Sequence, residues 1–158
     1  TFTGNIIYNY FKLIINKQLD IEYILSNKLD YIIDLFEKKG YKNEQNVMAV
    51  SIIKKSLSAL CNSKDGQWIY QVHEDDQFEL KHIVMLGDDF EIRIPDRTFI
   101  HNNTRWIIDY KVLFGDKDLS IEAKKHLRQL NIYESLFDDK YPVIKAIYFA
   151  PQGKLIRL

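Results

Sequence analysis

The sequence predicts an α+β (mixed α/β) fold, in which a helical segment precedes a central, mostly antiparallel sheet flanked by helices. Three observations lead there. Apolar residues recur at helical spacing up to about residue 62, the period shortens to that of strands from Gln67, and one helical stretch interrupts the strands before a β tail. The 158 residues suffice for one domain with a sizeable core, and 46% hydrophobic with 28% charged residues is ordinary for a soluble globular chain.

From about Asn5 to Asn16, the residues Ile6, Ile7, Tyr10, Phe11 and Ile14 form an i, i+3, i+4 stripe, the pattern of an amphipathic helix. Asp20 has the short carboxylate of an N-cap for a second helix that reaches about Lys39, where Gly40 ends it. A third helix runs from about Glu44 to Cys61, and Lys64-Asp65-Gly66 then breaks the pattern. Gln67 to His73, with Trp68, Ile69, Tyr70 and Val72, reads as the first strand. Gln77 to Leu86 is the second, Gly87-Asp88 a hairpin turn, and Asp89 to Ile100 the third. Asn102-Asn103 turns the chain into a fourth strand, Arg105 to Val112. A helix from about Ser120 to Phe137, a connector over 138–142 and a fifth strand from Val143 to Phe149 follow. Lys154 to Leu158 is expected to pair with that strand across Pro151-Gln152-Gly153. The expected organisation is a single domain over 1–158, helical over 1–62 and sheet-based over 67–158. Its start in mid-pattern at Thr1 suggests a piece of a longer protein.

The 22 basic and 22 acidic side chains cancel, so any affinity for nucleic acid must come from a local patch. A single cysteine, Cys61, excludes an internal disulfide and a cysteine-rich zinc site; it suits a reducing, cytoplasmic compartment and reads as buried filler. No apolar run approaches the length of about 18 to 20 residues that spans a bilayer, and no signal peptide is visible.

The unusual stretch is Arg93 to Val112, where two strands each carry an aspartate at a core-like position. A buried carboxylate is costly without a partner. In a hairpin with a centred, even loop, opposite positions add to a constant. A centred Asn102-Asn103 turn sets Asp96 opposite Asp109, and a centred Gly87-Asp88 turn sets Glu79 opposite Asp96. Three acids then form a row with neighbours roughly 4.5 to 5.5 Å apart at Cβ. Lys111 shares the face of Asp109, about 6 to 7 Å along the strand. Unneutralised, such a row is destabilising, and a hard divalent cation removes the conflict. Asymmetric loops would instead turn the acids to solvent, because a one-residue slip sends Asp96 and Asp109 to opposite faces.

The run Asp96…Asp109-Tyr110-Lys111 resembles the PD-(D/E)xK nuclease signature, and more narrowly the C-terminal nuclease domains of RecB- and AddA-type helicase-nucleases. Those domains have an aspartate followed by arginine, a short hairpin, Asp-Tyr-Lys, a helix with a QxxxY motif, and a strand with an aromatic end. Here Gln129-Leu130-Asn131-Ile132-Tyr133 and Val143 to Phe149 stand in the corresponding order. The resemblance covers most of the chain from Gln67 onwards. It departs at the start, where the family's Gly-x-x-x-His motif is Gly4-Asn5-Ile6-Ile7-Tyr8, and tyrosine is a poor ligand for a hard ion.

The resemblance implies a restriction-endonuclease-like core and a nuclease that uses Mg²⁺ or Mn²⁺. Asp96, Asp109 and the backbone carbonyl of Tyr110 would hold the metal, Lys111 would orient the attacking water, and Glu79 would complete the shell or relay a proton. Gln129 and Tyr133, four apart on one helix face, would brace the site and touch substrate. Lys125 and Arg128, in a basic group with Lys124 and His126, would meet DNA phosphates; the plain reading of that group is solvated surface. Implied partners are DNA ends, the helicase portion of the same parent chain and a partner subunit, with no membrane. Two other readings remain open: a weakened or inactive nuclease-fold module that binds DNA or docks subunits, and a free-standing restriction-type or RNA-directed nuclease.

Overall fold

The computed structural model describes residues 1–138 and 140–158, apart from the side chains of Val84 and Leu86. Asp139 of the expected connector lies outside the described residues. The fold is the expected mixed α+β class. Among the described residues there are seven helices and seven strands, in two compact units: 1–71 with 150–154, and 72–149 with 155–158.

The first unit is helical. It comprises α1 (Phe2–Ile15), α2 (Ile21–Asn27), α3 (Leu29–Lys38), α4 (Asn43–Asn62) and α5 (Lys64–Tyr70). Thr1 caps α1 by accepting the Gly4 N–H, and Asp20 caps α2 by accepting those of Glu22 and Tyr23. The helix expected from Asp20 to Lys39 is thus two, broken at Lys28. Gly40 closes α3 at a φ of +84°, a conformation that costs glycine nothing. Cys61 is exposed rather than buried.

The expected strand from Gln67 to His73 is mostly α5. Its β-favouring side chains yield to a local start signal, because the Ser63 hydroxyl accepts the Gly66 N–H at 2.8 Å and caps a new helical turn. Gly66 does not break structure here; it permits close packing. A Cβ added at Gly66 would lie 2.2 Å from the Ala59 carbonyl oxygen and 2.6 Å from the Ser63 Oγ. Gly66→Ala should therefore destabilise the protein by roughly 1–3 kcal/mol, despite alanine's better helix propensity, as read from urea unfolding. A neutral or stabilising result would show that α5 shifts freely.

The second unit holds a five-stranded sheet in the order β1-β4-β5-β6-β7, built from β1 (Glu74–Phe78), β4 (Arg97–His101), β5 (Thr104–Lys111), β6 (Val143–Phe149) and β7 (Lys154–Arg157). β1, β4 and β5 pair antiparallel, whereas β5 and β6 are parallel. The hairpin of β2 (His82–Leu86) and β3 (Asp89–Arg93) forms a separate two-stranded sheet. The two long strands expected from Gln77 to Leu86 and from Asp89 to Ile100 are therefore each interrupted. Glu79, at a φ of 52°, ends one, and Pro95, which has no N–H to donate, interrupts the other.

The helix expected from Ser120 to Phe137 is also two, α6 (Leu119–Lys124) and α7 (Leu127–Glu134). Between them Lys125 and His126 donate to carbonyls three residues back, which tightens the chain into a turn. Ala123, Leu130 and Tyr133 pack with Ile107, Ile147 and Phe149 of the sheet, so α6 and α7 cover the face that carries odd-numbered residues of β5 and β6. Lys145 on β6 fastens α7 by reaching Asn131 and Glu134.

Candidate active site

Hairpin register brings the acids together. Arg97 faces Ile108 and His101 faces Thr104, so the next position along sets Asp96 opposite Asp109. Phe78 faces Arg97, and the Glu79 N–H donates to the Asp96 carbonyl at 3.0 Å. The row of Glu79, Asp96 and Asp109 thus exists in the backbone. Side chains then sort by alternation: Asp96, Asp109 and Lys111 share the α7-covered face with Ile107, while Arg97, Ile108 and Tyr110 lie on the reverse.

The carboxyl groups of Asp96 and Asp109 lie within hydrogen-bonding reach of one another. Asp96 Oδ2 also accepts the Tyr110 N–H at 2.8 Å. The Lys111 ammonium comes 2.5 Å from Asp109 Oδ2 as an ion pair, and among the described residues that buried oxygen has no hydrogen-bond partner. Burial first, and then the charge of Asp109, push the Asp96 carboxyl up to about 8, against the pull of the Tyr110 N–H and Lys111. Near neutral pH the Asp96 carboxyl therefore keeps its proton.

That state fits a divalent cation. An acid pair that resists holding two negative charges, and a buried oxygen without a hydrogen bond, are both relieved when a hard cation replaces the proton. Magnesium keeps several waters and needs only one or two protein carboxylates. Glu79 does not complete a third: its side chain is exposed, and among the described residues no three His, Cys, Asp or Glu side chains converge.

The helix α7 brings Gln129 and Tyr133 to the same face. Gln129 Nε2 donates to the Tyr133 hydroxyl at 2.7 Å. Burial pushes that hydroxyl up, and it also feels the charges of Asp109, Asp96 and Lys111, which places it near the pair. Lys125 is instead turned to Glu122 at 2.7 Å, and Arg128 is exposed. His126, read from the sequence as part of the basic group, is half-buried where burial and then Lys111 hold its imidazole below the usual range. Tyr8 is buried on α1 of the helical unit.

Sequence reasoning missed what lies on the reverse face. Arg97 is 0% exposed, and its Nε and Nη2 donate to Asp76 at 2.8 and 2.6 Å. Its Nη1 donates to the Tyr110 hydroxyl at 3.3 Å, and the rings of Phe78 and Phe99 lie 4.9 Å from its guanidinium carbon. A bulge in β1 between Glu74 and Gln77 re-aims the strand, so that Asp76 reaches Arg97 while Asp75 meets Arg105 at 2.8 Å. The signal available was an arginine inside an apolar run, Arg97-Thr98-Phe99-Ile100.

A pH dependence follows for the metal-free protein. The Asp96 carboxyl keeps its proton to about 8 when folded and releases it near 3.8 when not. Between those values the folded state binds the extra proton, so the stabilisation is complete below about pH 4 and is lost as pH rises through about 8. Thermal melts in EDTA should show a loss of roughly 1–3 kcal/mol over that window, reduced from the full shift by residual solvent contact. Asp96→Asn should flatten the profile; an unchanged profile would show that Asp96 is not the group that titrates.

Compared with known proteins, the chain matches no family and no curated sequence.

Proposed function

We propose that this chain is a metal-dependent nuclease module acting on DNA, of the kind found at the C-terminus of RecB- and AddA-type helicase-nucleases, working in the cytoplasm with a helicase portion of its parent chain and a partner subunit. What carries the reading is the arrangement of Asp96 and Asp109 face to face, with Lys111 beside them, under the Gln129–Tyr133 face of α7. Asp96 and Asp109, with the Tyr110 carbonyl, would hold Mg²⁺ or Mn²⁺. The bound ion supplies a polarised scissile phosphate and a water of lowered pKa. Lys111 would orient the attacking water and offset charge growing on the phosphate. Gln129 and Tyr133, already hydrogen-bonded to each other, hold the substrate backbone against the pair.

A second reading draws on two observations: Tyr8 where the nuclease domains that the chain resembles have histidine, and no third carboxylate converging on the pair among the described residues. Both favour a weakened module that binds DNA or docks a partner without efficient cleavage. Incubation with linear single- and double-stranded DNA separates the two. The nuclease reading expects degradation with Mg²⁺ or Mn²⁺, blocked by EDTA and reduced at least about a hundredfold in Lys111→Ala. Binding without cleavage at either ion selects the second reading, and cleavage unchanged by Lys111→Ala overturns the mechanism.

A further inference from the structure

The β2–β3 hairpin has one face that nothing described covers. Ile83 is 70% exposed, Met85 65%, Phe90 65% and Ile92 50%. Ile83 faces Ile92 and Met85 faces Phe90 across the hairpin, so the four form one continuous apolar ladder on a single face. On the opposite face His82, at the base of the hairpin, meets Phe137 edge to face at 5.1 Å. A two-stranded hairpin is marginal in water on its own, and a contiguous apolar patch of this kind marks a surface that is covered in use.

We propose that a second copy of this chain covers it, in a two-fold contact that sets one hairpin face to face and antiparallel on the other. Charge placement argues for that occupant. By alternation Lys81, exposed at the base of the hairpin, continues the Ile83–Met85 row, and exposed Asp88 sits in the turn at the tip. The antiparallel two-fold sets each Lys81 beside the Asp88 of the other copy, twice over. It also pairs apolar ladders that are identical and hence self-complementary. The acidic tip, Asp88-Asp89, disfavours a nucleic-acid backbone as the occupant. Four such side chains expose on the order of 500 Å², so two hairpins bury about 1,000 Å² together, the lower limit of a specific interface. The contact is therefore a concentration-dependent dimer rather than an obligate one. It does not depend on the nuclease reading, and either can fail alone.

Sedimentation velocity over a concentration series, in low and high salt, tests it. The wild-type chain should pass from monomer to dimer as concentration rises, and Phe90→Glu should hold it monomeric with unchanged circular dichroism. Lys81→Glu and Asp88→Lys should each weaken the dimer roughly tenfold, and the double exchange should restore it, because the swapped charges meet again across the two-fold. Three results overturn the proposal: a wild-type monomer throughout the series, a dimer that survives Phe90→Glu, or open-ended assemblies in place of a closed dimer. Failure of the double exchange to restore pairing overturns the antiparallel arrangement.

Discussion

Asp109→Asn should lower metal-dependent DNA cleavage by at least about a hundredfold, and yet leave the metal-free protein more stable above neutral pH. The two effects share a cause. Asparagine keeps the shape of Asp109 but removes one of two carboxylates that face each other. On the proposed nuclease reading, one of the two carboxylates that would hold the cation is then gone. The charge of Asp109 also no longer opposes ionisation of Asp96, so the loss of stability toward pH 8 shrinks, by about 1 kcal/mol on the scale of opposed like charges. Lys111 loses its partner, but it is 30% exposed and can be solvated by water instead. DNA degradation assays and thermal melts at pH 8 in EDTA give the two readouts on one preparation. An ion pair retained for structure alone predicts the reverse: stability falls and cleavage, if present, persists.

The candidate site was legible in the sequence because its geometry is arithmetic. Two centred turns, at Gly87-Asp88 and Asn102-Asn103, fix every opposition in β2–β3 and β4–β5, and the β4–β5 register carries Asp96 to Asp109. Glu79 shows where that arithmetic ends. Its backbone falls in the row, but a left-handed φ of 52° frees its side chain from the strand alternation. Helix breaks at Lys28 and at Lys125-His126 leave the apolar stripes in phase on both sides, so periodicity passes over them. At α5 the Ser63 cap on the Gly66 N–H and the close approach of Gly66 to Ala59 win over β propensity; the cap is local, but Lys64-Asp65-Gly66 reads as a break, and the packing on Ala59 leaves no mark in the sequence pattern. The partner of Arg97 was hidden for a similar reason. Asp76 lies 21 residues away and reaches it through a bulge that no spacing rule places.

The largest loss of stability is expected at that arginine. Arg97→Ala should destabilise the protein by about 3–5 kcal/mol, because it strands the Asp76 carboxylate in a buried setting. For a chain of this length that corresponds to a melting temperature lower by roughly 10 °C or more. Arg97→Lys should recover only part of it. An ammonium keeps the charge but cannot match the two-point fork on Asp76, nor lie flat between Phe78 and Phe99. Arg97→Met combined with Asp76→Asn should do better than either single change. That pair removes both charges together and keeps an oxygen for the His73 N–H, which now donates to Asp76 at 3.0 Å. The comparison also separates stability from site geometry. Tyr110 ties the two faces of the sheet, since its hydroxyl accepts from Arg97 and its N–H donates to Asp96. If the guanidinium fixes Tyr110, the double variant regains melting temperature but still binds Mg²⁺ less tightly than wild type. If it regains both, Arg97 supports the fold and leaves the acid pair to position itself.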